Sequence, residues 1–302
     1  MSFEYSEDNL IEAATKEVLE ELRWKVVYAW HKETFGSNGL LGRENKSEVI
    51  LKRHLLQALE NLNPDLPSLA YKNALDQILE KTANKNLVQT NKEKYFLLTQ
   101  GVLVSFQNQN GELVKKRLKV FNFEDPYDNE FIAVRQLEIA GDLYNRRPDI
   151  VGFVNGIPLL VFELKAHHTD LASAYTDNLT DYKDTIKNLF NYNAFILLSN
   201  GTDSKVGTIT SPYKFFLDWK RIEENDEGIV SLDTILRGTC SPYHLLDIFQ
   251  NFLIFDGDSS DLTKLMAKNH QYLGVNKVIS KVNNLEDLKG KLGVFWHTQG
   301  AG

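Results

Sequence analysis

Residues Arg146–Lys165 read RRPDIVGFVNGIPLLVFELK, and the fold is decided there. Two apolar runs flank Asn155-Gly156, a dipeptide suited to the positive φ angles of a two-residue hairpin turn. Asp149 heads the first strand, and Glu163 and Lys165 lie near the end of the second. A side-chain period of two puts Glu163 and Lys165 on one face and Phe162 and Leu164 on the other. Two carboxylates and a lysine carried by apolar strands are costly in a core unless they pair or bind an ion.

Outward from this hairpin, the chain reads as a soluble α/β protein. It has 302 residues, 42% hydrophobic and 25% charged, enough for one sizeable domain and part of another. The run Ile157–Phe162 is far too short to cross a bilayer, and no signal peptide is evident at the start. The lone cysteine, Cys240, excludes an intrachain disulfide and fits a reducing cytoplasm; its ordinary reading is an inert structural thiol. The net charge of −7 argues against broad electrostatic attraction to nucleic acid, leaving local basic patches or a partner to hold it.

The N-terminal side is largely helical in pattern. Leu10, Ala14, Val18 and Leu22 recur every four residues over Ser6–Leu22, followed by a strand over Trp24–Trp30. A Gly-rich loop then leads to a helix with Ser47 as N-cap, stopped by Asn63-Pro64, and a second helix covers Leu69–Glu80. Strands are expected at Phe96–Phe106, Leu113–Phe121 and Phe131–Ile139. Lys115, Lys116, Arg117 and Lys119 form either a solvated strand edge or a phosphate-contacting surface.

Beyond the hairpin, Thr169–Phe190 has helical spacing, which makes Asn178 and Tyr182 neighbours on one face. A buried strand follows at Ala194–Ser199, and Tyr213–Trp219 reads as a strand or short helix. The polar run Glu223–Glu227 looks like a boundary, and Ser241–Phe255 is helical in pattern.

Asp149 and Glu163 on adjacent strands can hold a divalent cation, Mg²⁺ being the usual occupant, with the Leu164 carbonyl as a further oxygen. Such an ion polarises a phosphoryl oxygen and acidifies water, while Lys165 orients water or stabilises developing charge. The competing reading is a buried Glu-Lys pair with an N-capping Asp. His167 and His168 follow directly, but adjacent residues on an extended chain point apart and make a poor metal pair.

Pro148-Asp149 followed by Glu163-Leu164-Lys165 resembles the PD-(D/E)xK nuclease superfamily. That resemblance implies Asp149, Glu163 and Lys165 as catalytic residues, with Asp149 and Glu163 as metal ligands. It also brings in Glu7 and Glu12 of the first helix as auxiliary carboxylates; a solvated helix face is the alternative. The hairpin segment, GLLGRENKSEVIL…ALENLNPDLP before it and LLSNGTDSKVGTITSPYKFFLDWK after it resemble the restriction (R) subunit of type I restriction-modification enzymes. The family implies a nuclease domain followed by a two-lobed helicase-like motor that uses ATP to translocate duplex DNA. It also implies methyltransferase (M) and specificity (S) subunits as partners. Arg146, Arg147, Lys115 and Lys116 are then the DNA-binding candidates. The family's Q-x-x-x-Y helix is matched by Asn178 and Tyr182, with an amide one methylene shorter, so a longer or altered contact is expected.

The C-terminal LGVFWHTQGAG is similar to the start of the family's Walker A loop, giving Thr298, Gly300 and Gly302 as incomplete nucleotide-binding residues. Gln271 resembles the glutamine such motors place against adenine; a surface glutamine is the alternative. The expected fold is a PD-(D/E)xK-like α/β core, a mixed sheet flanked by helices, over 1–225. A helical linker over 226–260 and the incomplete start of a RecA-like motor domain over 261–302 complete it. A chain ending before the Walker lysine is expected to lack ATPase activity. A standalone nuclease and a non-catalytic docking module are the rival functions.

Overall fold

The computed structural model describes residues 7–81, 85–108, 110–288 and 290–294, the side chains from residue 10 onward. The chain opens with α1 (Glu7–Glu21), β1 (Lys25–Tyr28), α2 (Lys52–Leu62), α3 (Ser68–Leu79) and α4 (Leu87–Gln100). Strands β2 (Val102–Gln107), β3 (Leu113–Leu118), β4 (Phe131–Arg135), β5 (Ile139–Ala140) and β6 (Asn145–Arg146) lead to the hairpin β7 (Ile150–Val154) and β8 (Ile157–Leu164). A π-helical turn (Ala174–Leu179), α5 (Thr180–Thr185) and α6 (Lys187–Phe190) return the chain to β9 (Phe195–Ser199), β10 (Ser204–Gly207) and β11 (Leu217–Asp218). Last come α7 (Leu232–Cys240), α8 (Pro242–Asn251), β12 (Leu253–Asp256), β13 (Thr263–Met266) and α9 (Asn269–Asn283). Among the described residues no helix is long and apolar enough to cross a membrane.

Seven strands form one mixed sheet in the order β1-β4-β7-β8-β9-β10-β11. β1 with β4 and β8 with β9 are parallel, and the other neighbours are antiparallel. Every residue of β7, β8 and β9 is buried, so the centre of the sheet is covered on both faces. Packing α1 against β1 and β8, and the π-turn against β8, supplies part of that cover. Continuous apolar runs, rather than polar alternation, are what two covered faces require.

The central turn has the expected geometry, with φ of 49° at Asn155 and 79° at Gly156. Gly156 is needed twice over: an added Cβ would lie 2.4 Å from the Leu51 carbonyl oxygen, and its own carbonyl accepts from Leu51 N–H at 2.9 Å. Asn155 accepts from Glu130 N–H and donates to the Val120 carbonyl, locking the turn to the preceding loop. Gly152 leaves room for Trp24, whose indole N–H reaches the Cys240 carbonyl at 2.8 Å and joins α7 to the core. The Cys240 thiol is buried, and burial pushes its pKa up to about 12, as befits an inert thiol.

Several expected boundaries move. Phe96–Gln100 is the end of a helix, not a strand: Asn86 and Gln89 cap α4 reciprocally, and the helix runs on until Gly101 at φ +82°. Ser47 is not an N-cap, because α2 starts at Lys52 after Leu51 has been drawn to the hairpin turn. The helix expected through Thr169–Phe190 is broken by a π-turn and again at Ile186 (φ −121°, ψ 42°). The strands expected at Leu113–Phe121 and Phe131–Ile139 stop at Leu118 and Arg135, the latter followed by a left-handed Gln136 at φ +54°. Helix α8 stops at Asn251, so Leu253–Phe255 is strand and begins a hairpin reaching Met266. That hairpin is pinned by Lys264, whose buried Nζ donates to Asn91 Oδ1 (3.0 Å) and the Asn193 carbonyl (2.6 Å).

Candidate active site

Register brings the charges together. Ile150 pairs with Phe162, so Asp149 and Glu163 are the next residues outward along β7 and β8. Asp149 Oδ2 accepts from Leu164 N–H at 2.7 Å and Oδ1 from Gln136 Nε2 at 3.1 Å. It therefore caps a strand end, not a helix. Glu163 has no accessible surface, and among the described residues neither carboxyl oxygen has a well-formed hydrogen bond. The Tyr182 hydroxyl and the Asp149 N–H interact with this carboxyl without reaching full hydrogen-bond geometry.

Burial shapes the electrostatics first. It pushes Asp149 up from 3.8 to about 6, with the Glu12 charge adding to it and Leu164 N–H and Gln136 opposing it. Glu163 is held well above the usual carboxylate range by burial and then by Asp149. A buried carboxylate without a donor is an expensive anion. A proton or a cation relieves it, and the second carboxylate alongside strengthens the case for a cation. Among the described residues no group of three or more His, Cys, Asp or Glu is arranged to hold a metal; the carboxylates that strand register pairs here are Asp149 and Glu163.

Lys165 is half-buried and donates from Nζ to Asn178 Oδ1 at 2.8 Å; no ion pair with Glu163 forms among the described residues. Of the longer or altered contact expected, the longer one is not found: the shorter amide reaches the lysine directly. Asn178 lies in the π-turn, whose wider winding changes where each side chain emerges relative to an α-helix. Asn178 Nδ2 lies 3.4 Å from the Tyr182 hydroxyl, which is 3.5 Å from the Arg147 carbonyl.

Glu12 joins the cluster indirectly. Its Oε2 accepts from Arg135 (2.7 and 3.1 Å) and its Oε1 from Gln136 Nε2 (2.5 Å). Glu12 is buried, so the solvated-face alternative fails for it, while the Glu7 side chain lies outside the described residues. Arg135 and Gln136 are functional neighbours that no motif in the sequence singles out. Their one signal was a polar pair ending the apolar strand Phe131–Val134, the pattern that marks Glu163 and Lys165.

The basic candidates divide. Arg146 is committed to Asp181 through a bidentate pair. Arg147 is exposed, its guanidinium 3.9 Å from the Trp30 ring centroid. Lys115 and Lys116 are exposed on β3, in a two-stranded sheet separate from the central one. Gln271 closes the first turn of α9 by accepting from Lys268 N–H at 2.8 Å. Thr298, Gly300 and Gly302 lie outside the described residues. His167 contacts Thr202 Oγ1.

A mixed α/β sheet flanked by helices, with two carboxylates and a lysine at the end of its central hairpin, is consistent with a nuclease-like core. Residues 4–215 match the sequence model of the family described as type I restriction enzyme R protein N terminus, and the chain belongs to that family. It is 36% identical, over 98% of its length, to the type I restriction enzyme HindI endonuclease subunit of Haemophilus influenzae. To the putative type I restriction enzyme MjaIXP endonuclease subunit of Methanocaldococcus jannaschii it is 30% identical over 86% of its length. A further relative, at 25% identity over 58% of the chain, is the SsaAORF53P endonuclease subunit of Staphylococcus saprophyticus. The chain spans 29%, 27% and 18% of these three relatives.

Proposed function

We propose that this chain is the endonuclease module of a type I restriction R subunit, a PD-(D/E)xK nuclease that hydrolyses DNA phosphodiesters with Mg²⁺. The observation that carries the reading is Glu163, fully buried in the sheet with no well-formed hydrogen bond among the described residues and set beside Asp149. These residues fit a hard divalent cation, since an ion bound there would supply the partner that both carboxyl oxygens lack. Mg²⁺ would contribute Lewis acidity toward a phosphodiester oxygen and a water nucleophile at neutral pH.

The chain's own residues do the rest. Asp149 and Glu163 bind, with the Leu164 carbonyl as a further oxygen, while Leu164 N–H and Gln136 hold Asp149 in one orientation. Lys165 brings a positive charge toward the scissile phosphate and orients the attacking water, its Nζ steadied by Asn178. Tyr182 shields Glu163 from bulk water and lies against the Arg147 carbonyl. Arg147, Lys115 and Lys116 contact duplex DNA, whereas Arg146 serves chiefly to tie β6 to α5.

In the whole R subunit this module works in the cytoplasm with M and S subunits and an ATP-driven motor. Residues 1–225 form the nuclease domain, 226–260 the linker, and 261–302 the start of the motor, with Gln271 and the 298–302 loop on its nucleotide side. Calorimetry with Mg²⁺ or Mn²⁺ tests the proposal, together with DNA cutting by assembled complexes carrying Asp149→Ala, Glu163→Ala or Lys165→Ala. Cation binding lost in Asp149→Ala and cutting lost in all three are expected. Retained double-strand cutting in any variant refutes it. The net charge of −7 favours a second reading, a non-catalytic docking module, which predicts no cation binding at all.

A further inference from the structure

The Asp149 carboxylate does not orient itself. Strand β4 ends at Arg135, and the next residue, Gln136, turns into the left-handed region at φ +54°. The main chain of Gln136 donates to the Asp149 carbonyl at 2.8 Å, which fixes the turn to the strand that bears the carboxylate. From this anchor Nε2 donates to two acceptors, Glu12 Oε1 at 2.5 Å and Asp149 Oδ1 at 3.1 Å. Both partners are carboxylate oxygens, so only the nitrogen side of the amide satisfies them, and its two hydrogens match two acceptors. Glu12 is in turn clamped by Arg135 through Oε2, and Asp149 Oδ2 is held by Leu164 N–H. Asp149 thus has one donor from the main chain of β8 and one from a side chain, and the side chain is the replaceable one.

We propose that Gln136 is a positioning residue of the nuclease centre: its side-chain amide spans Glu12 and Asp149 and sets the Asp149 carboxylate for cation binding. The inference rests on the nuclease reading above. Gln136 touches neither the cation nor the phosphate; it acts through Asp149. Without the amide, two carboxylates face each other with no donor between them, and Asp149 is free to rotate about its remaining bond to Leu164 N–H. Groups that hydrogen-bond metal ligands in this way typically govern affinity by about 10- to 100-fold.

The backbone supplies a clean test. Asparagine accepts left-handed φ more readily than glutamine, so Gln136→Asn suits the turn while its amide falls one methylene short of the two carboxylates. Gln136 is only half-buried, so shortening it opens little core. Mn²⁺ binding is measured on this chain by electron paramagnetic resonance titration, and thermal unfolding on the same samples in EDTA. Gln136→Asn is expected to unfold within about 2 °C of wild type yet bind Mn²⁺ about tenfold more weakly at unchanged stoichiometry. Gln136→Met, which keeps the length and removes the donor, is expected to weaken binding similarly. Should it fail to fold, Gln136→Asn decides alone. Wild-type Mn²⁺ affinity in Gln136→Asn overturns the proposal, as does a loss of affinity that only follows a loss of folded protein. No Mn²⁺ binding by wild type, or binding kept in Asp149→Ala, refutes the nuclease reading itself and takes the role of Gln136 with it.

Discussion

Asp149→Asn is expected to make the metal-free protein more stable at neutral pH, at a position proposed to be essential for cutting. Burial, reinforced by Glu12, raises Asp149 from 3.8 to about 6 in the folded chain. At about 1.4 kcal/mol per pH unit, ionising it in the fold costs about 3 kcal/mol relative to the unfolded chain. The sign follows from proton counts. Between pH 4 and 6 the folded state holds the proton that the unfolded state has released, so stability falls as pH rises through this window and levels off above about 6. Asparagine carries no charge and keeps an oxygen for Leu164 N–H, but its amide nitrogen then meets the Gln136 amide, a loss of about 1 kcal/mol. The net gain is about 2 kcal/mol at pH 8 and turns into a loss of about 0.5 kcal/mol at pH 4, where the folded carboxyl is protonated. Urea unfolding in EDTA at the two pH values measures it. Added Mg²⁺ should stabilise wild type and leave the variant unchanged, because only the native site binds the ion. A variant less stable than wild type at pH 8, or a gain equal at both pH values, would refute this account of the site.

Asn178→Ala removes the acceptor that steadies Lys165 Nζ; cation affinity should hold while cutting by the assembled complex falls by about 10- to 100-fold. Gly156→Ala forces a Cβ to within 2.4 Å of the Leu51 carbonyl oxygen at φ +79°, and a loss of about 2 kcal/mol or more in chemical denaturation is expected. Lys264, lowered to about 7 by burial, binds fewer protons folded than unfolded. Stability should therefore rise from pH 7 toward 10, a slope that Lys264→Met should reduce in urea titrations across that range.

Much of the centre of this fold was legible because its determinants are local. Asn155-Gly156 demands a tight turn, and the apolar runs on either side demand two buried faces. Asp149 and Glu163 then fall side by side through hairpin register alone. The resemblance to R subunits rests on this hairpin together with the blocks GLLGRENKSEVIL…ALENLNPDLP and LLSNGTDSKVGTITSPYKFFLDWK, and the family assignment agrees with it. Helix limits were less legible where tertiary contacts override a local pattern. Leu51 caps α2 rather than lying inside it: its carbonyl accepts from Leu55 N–H while its own N–H meets the Gly156 carbonyl. Phe96–Gln100 stays helical because the cap at Asn86 lies ten residues upstream of the apparent alternation.

By itself, the sequence determined that two carboxylates and a lysine lie together on one hairpin, with a spacing that follows from the pleat. Only the tertiary structure decided what those residues experience. Burying Glu163 completely requires strands on both sides and cover on both faces, which no local pattern specifies. Linking Glu12 to Asp149 through Gln136 requires α1, β4 and β7 to converge across 137 positions of chain, from residue 12 to residue 149. The shorter Asn178 reaches Lys165 from a π-turn that packs against β8, a winding the helical spacing of the sequence does not reveal. Charge placement is a local property of a strand; desolvation and hydrogen-bond partnership belong to the assembled fold.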